Sequence, residues 1–318
     1  MTRLDVVGVG EAMVLLQPPP ATSLAAAPHL DVHVAGAELN TCASVARLGL
    51  RAAFASRVGA DPLGDRVLAA ADALEVDTTL VAADPDRPTG VFFKDVRPDG
   101  RRRVHYYRRG SAASAMGPSD ALRILASRPR AIVLTGITVA LGEDPAALSE
   151  GPAALVRDLV AKAHASGVKV VLDPNLRPSL GSYDLVLETL RSFLPSVDLL
   201  ALGQDESHEL LGVTDPSEVF ATASKLGVRE VLLKAGPDGV WHADGHLESA
   251  ADTVVDPVGA GDAMLGGYLA GRLRGLPPSA AAWLGTQLAA AVIAAPGDTQ
   301  GLPDRAAAHA LLTAAATR

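Results

Sequence analysis

The stretch Asp256-Pro257-Val258-Gly259-Ala260-Gly261-Asp262 runs into a small-residue segment, Ala263 to Arg274, of helical length. Gly259, Ala260 and Gly261 leave their backbone N–H groups uncovered by side chains. The segment that follows places those amides at a helix N-terminus, a geometry that holds an anion. Asp262 beside them reads as a general base, because a carboxylate next to a clamped phosphoryl group can take the proton of an attacking hydroxyl. The same residues also fit a capped helix behind a tight glycine turn.

Around this stretch, short apolar strands alternate with helical segments. Strands are expected at 131–135, 169–173, 199–202 and 230–234, and helices at 152–165, 185–193 and 216–226. The alternation predicts an α/β fold with a mostly parallel sheet covered by helices on both faces. Residues 236–242 and 244–247 read as an antiparallel edge pair, and 278–294 and 305–316 as Ala-rich helices. Ligands of such folds bind outside the carboxyl ends of the strands. Asp173, Asn175, Arg177, Glu206 and Gly236 all fall there, although each alone also fits an ordinary turn.

Nearer the N-terminus, residues 4–10 read as a buried strand ending in glycine, with Glu11 just beyond. Residues 12–30 are irregular and contain Pro18-Pro19-Pro20, which predicts loop or edge structure. A helix is expected over 38–48, stopped by Gly49, then a strand at 52–57 and a helix at 63–74. Residues 89–96 and 104–108 form a β-prone pair joined by Pro98-Asp99-Gly100, a hairpin signal. That pair carries Phe92, Phe93, Tyr106 and Tyr107, in a chain whose aromatic content is only 3%. Stacking or shape is therefore wanted there. No internal repeat or linker divides the 318 residues, so one domain over 1–318 is expected.

Composition excludes several functions. A net charge of −8 argues against a general binder of nucleic acid or anionic membrane. The single cysteine, Cys42, excludes a disulfide framework and a thiolate cluster, and the eight histidines lack ligand spacing. No apolar run reaches bilayer length and the N-terminus has no signal-peptide pattern, so the expected compartment is the cytoplasm.

Two motifs carry a resemblance. Asp256 to Asp262 resembles the Asp-x-x-Gly-Ala-Gly-Asp signature of the ribokinase-like sugar kinases, and Gly36-Ala37-Glu38-Leu39-Asn40 with Leu48-Gly49 resembles their N-terminal signature. Within that family the chain is most similar to the 2-keto-3-deoxygluconate kinases. The stretches Thr89 to Phe93, Tyr106 to Ser114, Thr135 to Thr138, Asp173 to Pro178 and Gly297 to Pro303 carry this likeness.

The resemblance implies a ribokinase-like fold with a small β-sheet lid at about 12–35 and 88–112, and a homo-oligomer paired through that lid. It implies ATP, Mg2+ and K+ as cofactors and a small sugar acid as substrate. Asp262 becomes the base, with Gly259, Ala260 and Gly261 holding the transferred phosphoryl group. Gly36, Ala37, Asn40, Phe92, Tyr106, Arg108 and Arg177 face the sugar. Asn175, Lys234, Gly236, Gly239, Gly259 and Gly261 face the nucleotide. Glu206 would organise magnesium-bound water, with Gly203 standing where relatives carry Asn. Asp256 belongs to the monovalent-cation region, where Pro257 replaces the residue type more usual in relatives. Arg108 and Arg177 favour an acid substrate on physical grounds, since a guanidinium binds a carboxylate bidentately and a neutral sugar does not need it. Arg108 also belongs to a basic run with Arg97, Arg101, Arg102, Arg103 and Arg109, which reads as solvated.

Overall fold

The computed structural model describes residues 3–19, 22–96, 102–142, 150–180 and 183–318. The strands are β1 (Val6–Val9), β2 (Met13–Gln17), β3 (Asp31–Ala35), β4 (Ala52–Gly59), β5 (Asp77–Asp84), β6 (Val91–Val96), β7 (Arg102–Tyr107), β8 (Ala131–Thr135), β9 (Lys169–Asp173), β10 (Leu199–Gly203), β11 (Glu230–Lys234), β12 (Val240–His242) and β13 (Gly245–Leu247). The α-helices are α1 (Ala37–Arg47), α2 (Pro62–Ala73), α3 (Pro118–Ala126), α4 (Gly136–Val139), α5 (Gly151–Ala163), α6 (Tyr183–Phe193), α7 (Gln204–Leu211), α8 (Pro216–Lys225), α9 (Ala260–Leu273), α10 (Pro278–Ile293) and α11 (Arg305–Ala315).

Nine strands form one sheet in the order β13-β12-β11-β10-β9-β8-β1-β4-β5. All neighbours from β11 to β5 are parallel, and β12 and β13 close one edge antiparallel. Alternate strand residues serve opposite helical layers. Val7, Ile132, Val170 and Leu200 pack with Leu155, Leu159 and Leu190 on one face. Val6, Phe54, Val133 and Leu232 pack with Leu39, Leu265 and Leu269 on the other. The chain runs from β1 outward through β4 to β5, then returns to β8 on β1's other side, which opens a crevice at the carboxyl ends of β1 and β8.

A second, four-stranded sheet of order β3-β2-β6-β7 stands beside that crevice. Residues 12–30 are thus not simply loop or edge. Met13–Gln17 forms β2, an interior strand paired with both β3 and β6, and Val14 and Leu15 are buried. The short apolar run Val14-Leu15-Leu16 outweighs the prolines after it. β5 has no counterpart in the expected elements; its half-exposed residues lack clean alternation. The turn expected at Pro98-Asp99-Gly100 lies outside the described residues.

Small residues place α9. A Cβ on Gly266 would come within 2.4 Å of the Ser44 Cβ and 2.8 Å of the Thr41 carbonyl on α1. One on Gly267 would meet the Cα of Gly285 on α10 at 2.7 Å. The helix is therefore wedged between two neighbours at backbone contact, which fixes where its N-terminus points. Gly266→Val should lower the unfolding free energy by about 2–3 kcal/mol through overpacking, read as a denaturant midpoint. An unchanged midpoint would mean that α9 is not seated against α1.

Candidate active site at the N-terminus of α9

Gly259 caps α9 with a φ of 82°, in the left-handed region that favours glycine. A Cβ there would also lie 2.4 Å from the Asp298 carbonyl, so no side chain fits. Ala260, Gly261 and Asp262 form the first helical turn, as the glycine-rich stretch predicts. Their amides are among those that no helical carbonyl satisfies.

Asn40, on α1, donates from Nδ2 to Asp262 Oδ2 at 2.9 Å. Asp262 keeps a strip of surface open to the crevice while protein encloses the rest. That burial is the main reason its carboxyl is pushed up from 3.8 to about 7. The Asn40 hydrogen bond and Lys234 oppose the shift, and Asp173 and Asp298 add to it. A carboxylate with that affinity is half-deprotonated near neutrality and basic enough to accept a proton.

Two cavities meet at this turn. The first, about 720 Å³, is lined by Gly36, Ala37, Asn40, Phe92, Tyr106, Arg108, Asn175, Arg177, Glu206 and Asp262 among others. The second, about 660 Å³, lies between Gly239, Val254, Ala260, Ala289 and Ile293 and is mostly apolar. Lys234, Gly236 and Gly261 border both, and Gly259 faces the first. Of the residues expected to face the nucleotide, Asn175 opens only onto the first cavity and Gly239 only onto the second. Asp256 is buried behind the turn and lines neither.

Phe92 and Tyr106 are partners in the β6–β7 register, with ring centroids 5.9 Å apart. Arg108 Nη2 lies 2.5 Å from Glu11 Oε2, and the guanidinium stands 5.6 Å from the Tyr106 ring centre. Glu11 also accepts a hydrogen bond from the Ser111 hydroxyl. Part of the Arg108 charge is thus met within the chain, but its Nε is buried with no hydrogen-bond partner among the described residues. Arg177 is exposed and donates to the Leu176 carbonyl at 3.0 Å.

Lys234 Nζ is 2.7 Å from Asp173 Oδ2. Burial alone would lower the Lys234 pKa, but Asp173, Glu206 and Asp262 outweigh it, and the ammonium is held charged beside Gly261. Asp173 Oδ1 is buried with no hydrogen-bond partner among the described residues. Asn175 follows with a φ of 42°, unusual for a residue other than glycine.

Glu206 does more than face the crevice. Its Oε2 accepts from the Gly203 amide at 2.7 Å, capping α7, and its Oε1 accepts from Leu176 N at 2.8 Å. It clamps two strand-end loops together. Among the described residues no group of three or more His, Cys, Asp or Glu is arranged around a metal position. A hard divalent ion would need phosphate oxygens and water beside one or two carboxylates. Asp173, with its unpartnered Oδ1, and Glu206 fit that requirement.

Three groups escaped the sequence reading. Glu38 is fully buried, with the Thr135 and Thr138 hydroxyls 2.5 and 2.8 Å from Oε1; burial raises its pKa. It ties α1 to the end of β8. Glu11 carries Arg108, and Lys94 reaches Asp298 and Asp256. Glu11 after the first-strand glycine and Glu38 inside the Gly36 to Asn40 motif were visible as positions, but not as pairings.

The chain matches the profile described as pfkB family carbohydrate kinase over residues 3–305. It is 32% identical to a 2-dehydro-3-deoxygluconokinase of Thermoproteus tenax, over 98% of this chain and 95% of that one. A 2-dehydro-3-deoxygluconokinase of Bacillus subtilis (strain 168) is 31% identical, over 99% and 97% respectively. Among solved structures, a PfkB protein from Polaromonas sp. JS666 superposes with a TM-score of 0.82 and 33% identity, covering 96% of this chain and 99% of that chain.

The Asp262 shift has a consequence for stability. Between about pH 4 and 7 the folded chain holds a proton on Asp262 that the unfolded chain has released, so this group's contribution is present in acid and lost as pH rises through 7. Relative to Asp262→Asn, the unprotonatable isostere, the native chain should lose a few kcal/mol of unfolding free energy across that window. Parallel stability curves for the two would contradict the shift.

Proposed function

The chain belongs to the pfkB family of carbohydrate kinases, and on that premise we propose that it transfers the γ-phosphoryl group of Mg-ATP to the terminal hydroxyl of a sugar acid. The substrate that fits best is 2-keto-3-deoxygluconate, giving its 6-phosphate. The observation that carries this reading is the position of the α9 N-terminus between a cavity ringed by charged side chains and a more apolar one, with Asp262 in the charged one. A sugar in the first cavity and an adenine nucleotide in the second would meet at the amides of Gly259, Ala260 and Gly261.

In that arrangement Asp262 accepts the proton of the attacking hydroxyl while the amides and Lys234 hold the phosphoryl oxygens as charge shifts between them. Asn40 orients the carboxylate. Gly36, which lines the same cavity, has to be glycine to pass the Glu11 carbonyl, from which a Cβ would stand 2.7 Å. The ring pair Phe92 and Tyr106 walls the sugar. Magnesium, bound with the nucleotide, neutralises phosphate charge; Asp173 and Glu206 would hold it, in part through water.

The acid-sugar reading rests on Arg177 and on the unspent Nε of Arg108. Their contributions should differ. Arg177→Ala removes an exposed guanidinium and should raise KM for a keto-deoxy acid by about tenfold or more, roughly the worth of one charge-assisted contact, while sparing neutral sugars. Arg108→Ala leaves Glu11 as a buried carboxylate without its ion-pair partner and should harm every substrate. Residence in the cytoplasm and pairing of two copies through the small sheet belong to the same proposal. Tyr107 on β7 is an exposed aromatic side chain suited to such a contact.

The test is ADP release with Mg-ATP and a panel of 2-keto-3-deoxygluconate, 2-keto-3-deoxygalactonate, fructose, ribose and adenosine. Turnover is expected with the keto-deoxy acids, and Asp262→Asn should remove about 10²–10⁴-fold of it. Turnover confined to a neutral sugar would keep the kinase and overturn the arginine argument. Silence across the panel would favour a sugar-binding protein on the same scaffold.

A further inference from the structure

Lys94 is two residues from Phe92 on β6, so both side chains stand on the same face of the small sheet and line the same cavity. Its neighbours are not solvent. The side chain is 9% exposed, and Nζ lies 3.0 Å from Asp298 Oδ1 and 3.7 Å from Asp256 Oδ2, whose side chains are 7% and 10% exposed. Both carboxylates belong to the walls of the anion-holding turn. Asp256 begins the stretch that ends in Asp262, and its Oδ1 accepts from Val258 N at 3.2 Å. Asp298 presents its carbonyl against Gly259, and the amides of Val255 and Asp256 both donate to the Ile293 carbonyl.

The monovalent cation implied by the sugar-kinase resemblance can be tested against these residues. A potassium ion shared by Asp256 and Asp298 would have to stand where a lysine ammonium already makes the contact. The residues present do not fit it.

We infer that the Lys94 ammonium is the resident cation of the Asp256 and Asp298 carboxylates. It holds the Gly259–Asp262 turn in its working geometry from the small sheet, so that catalysis needs no added monovalent metal ion. Lys94 is a positioning residue in this account, since it acts through the two carboxylates and not on the phosphoryl group. The chemistry is direct. Two carboxylates packed this closely repel unless a cation stands between them, and removing that cation leaves buried charge uncompensated. A repelled Asp298 would drag on Gly259, and the amides that hold the phosphoryl oxygens would lose their aim. The inference rests on the kinase reading of that turn.

The experiment compares the native enzyme, Lys94→Ala and Lys94→Arg in buffers whose only monovalent cation is tetramethylammonium, then with added ammonium or potassium. Native kcat should change less than about twofold between the buffers, while Lys94→Ala should fall at least about tenfold in kcat, with the sugar KM much less affected. Ammonium or potassium should restore most of that loss in Lys94→Ala alone, Lys94→Arg should retain activity, and ammonium should raise the Tm of Lys94→Ala but not of the native enzyme. A native enzyme that itself requires potassium overturns the inference, and so does a Lys94→Ala loss that neither cation repairs. Should Lys94→Ala fail to fold, the native cation series and Lys94→Gln decide the matter. The Tm arm reads cation binding without turnover, so an inactive native enzyme would count against the proposed function and not against the strut.

Discussion

The hydrogen bond from Asn40 to Asp262 joins two helices that the sequence separates by 222 positions. It holds a carboxyl group where burial makes that group basic. Nearly everything else in the molecule can be read as a condition for it. Asn40 is fixed because α1 packs beneath the central sheet through Leu39, Ala43 and Val45, and because Glu38 anchors the helix to Thr135 and Thr138 at the end of β8. Asp262 is fixed because Gly266 and Gly267 let α9 approach its neighbours at backbone distance. The crevice between β1 and β8 exists because the order of strands reverses there, and the Asn40 amide and the Asp262 carboxylate both face it.

A second constraint is charge. The crevice and its walls gather acidic groups from distant parts of the chain, and in an interior of low polarity each needs a partner or a proton. Asp173 takes Lys234, Glu11 takes Arg108, and Asp298 and Asp256 take Lys94. Glu206 spends its oxygens on two backbone amides. Asp262 has only an amide from Asn40, and it is the group whose affinity for a proton rises to near 7. The acid beside the glycine-rich turn is thus one held without an ion-pair partner. The cations that surround the crevice come from different layers, Lys234 from the main sheet and Lys94 and Arg108 from the small sheet or its end. A shift of one sheet against the other would therefore disturb the electrostatics of the site as well as its shape.

Much of the fold was legible because its signals are local. The turn at Gly259 reads as a helix start since only glycine tolerates both its backbone angle and the carbonyl behind it. The parallel sheet reads from apolar runs such as Ile132 to Leu134 and Val170 to Leu172, buried on both faces and hence unalternating. β2 was obscured by the prolines that follow it, and β5 by a half-exposed surface that favours no period. The site was legible as positions and not as pairs. Lys94 looks like a solvated strand residue until Asp298, 204 positions later, is seen beside it. Arg108 looks free until Glu11 is found against it. Glu206 is visible as an acid at a helix start, but only the fold brings the Leu176 amide to its second oxygen. Contacts between distant segments leave no trace in the composition or period of either segment.

The account stands on a carboxylate made basic by its enclosure and steadied by one amide, and the pH dependence of kcat/KM reads that group in the free enzyme. For the native chain the account predicts a rising limb centred near pH 7. In Asn40→Ala the limb should move to higher pH, because the lost hydrogen bond favoured the charged form. A profile with no limb between about pH 5 and 8, where such a base must titrate, or a limb that stays in place when Asn40 is removed, would contradict it.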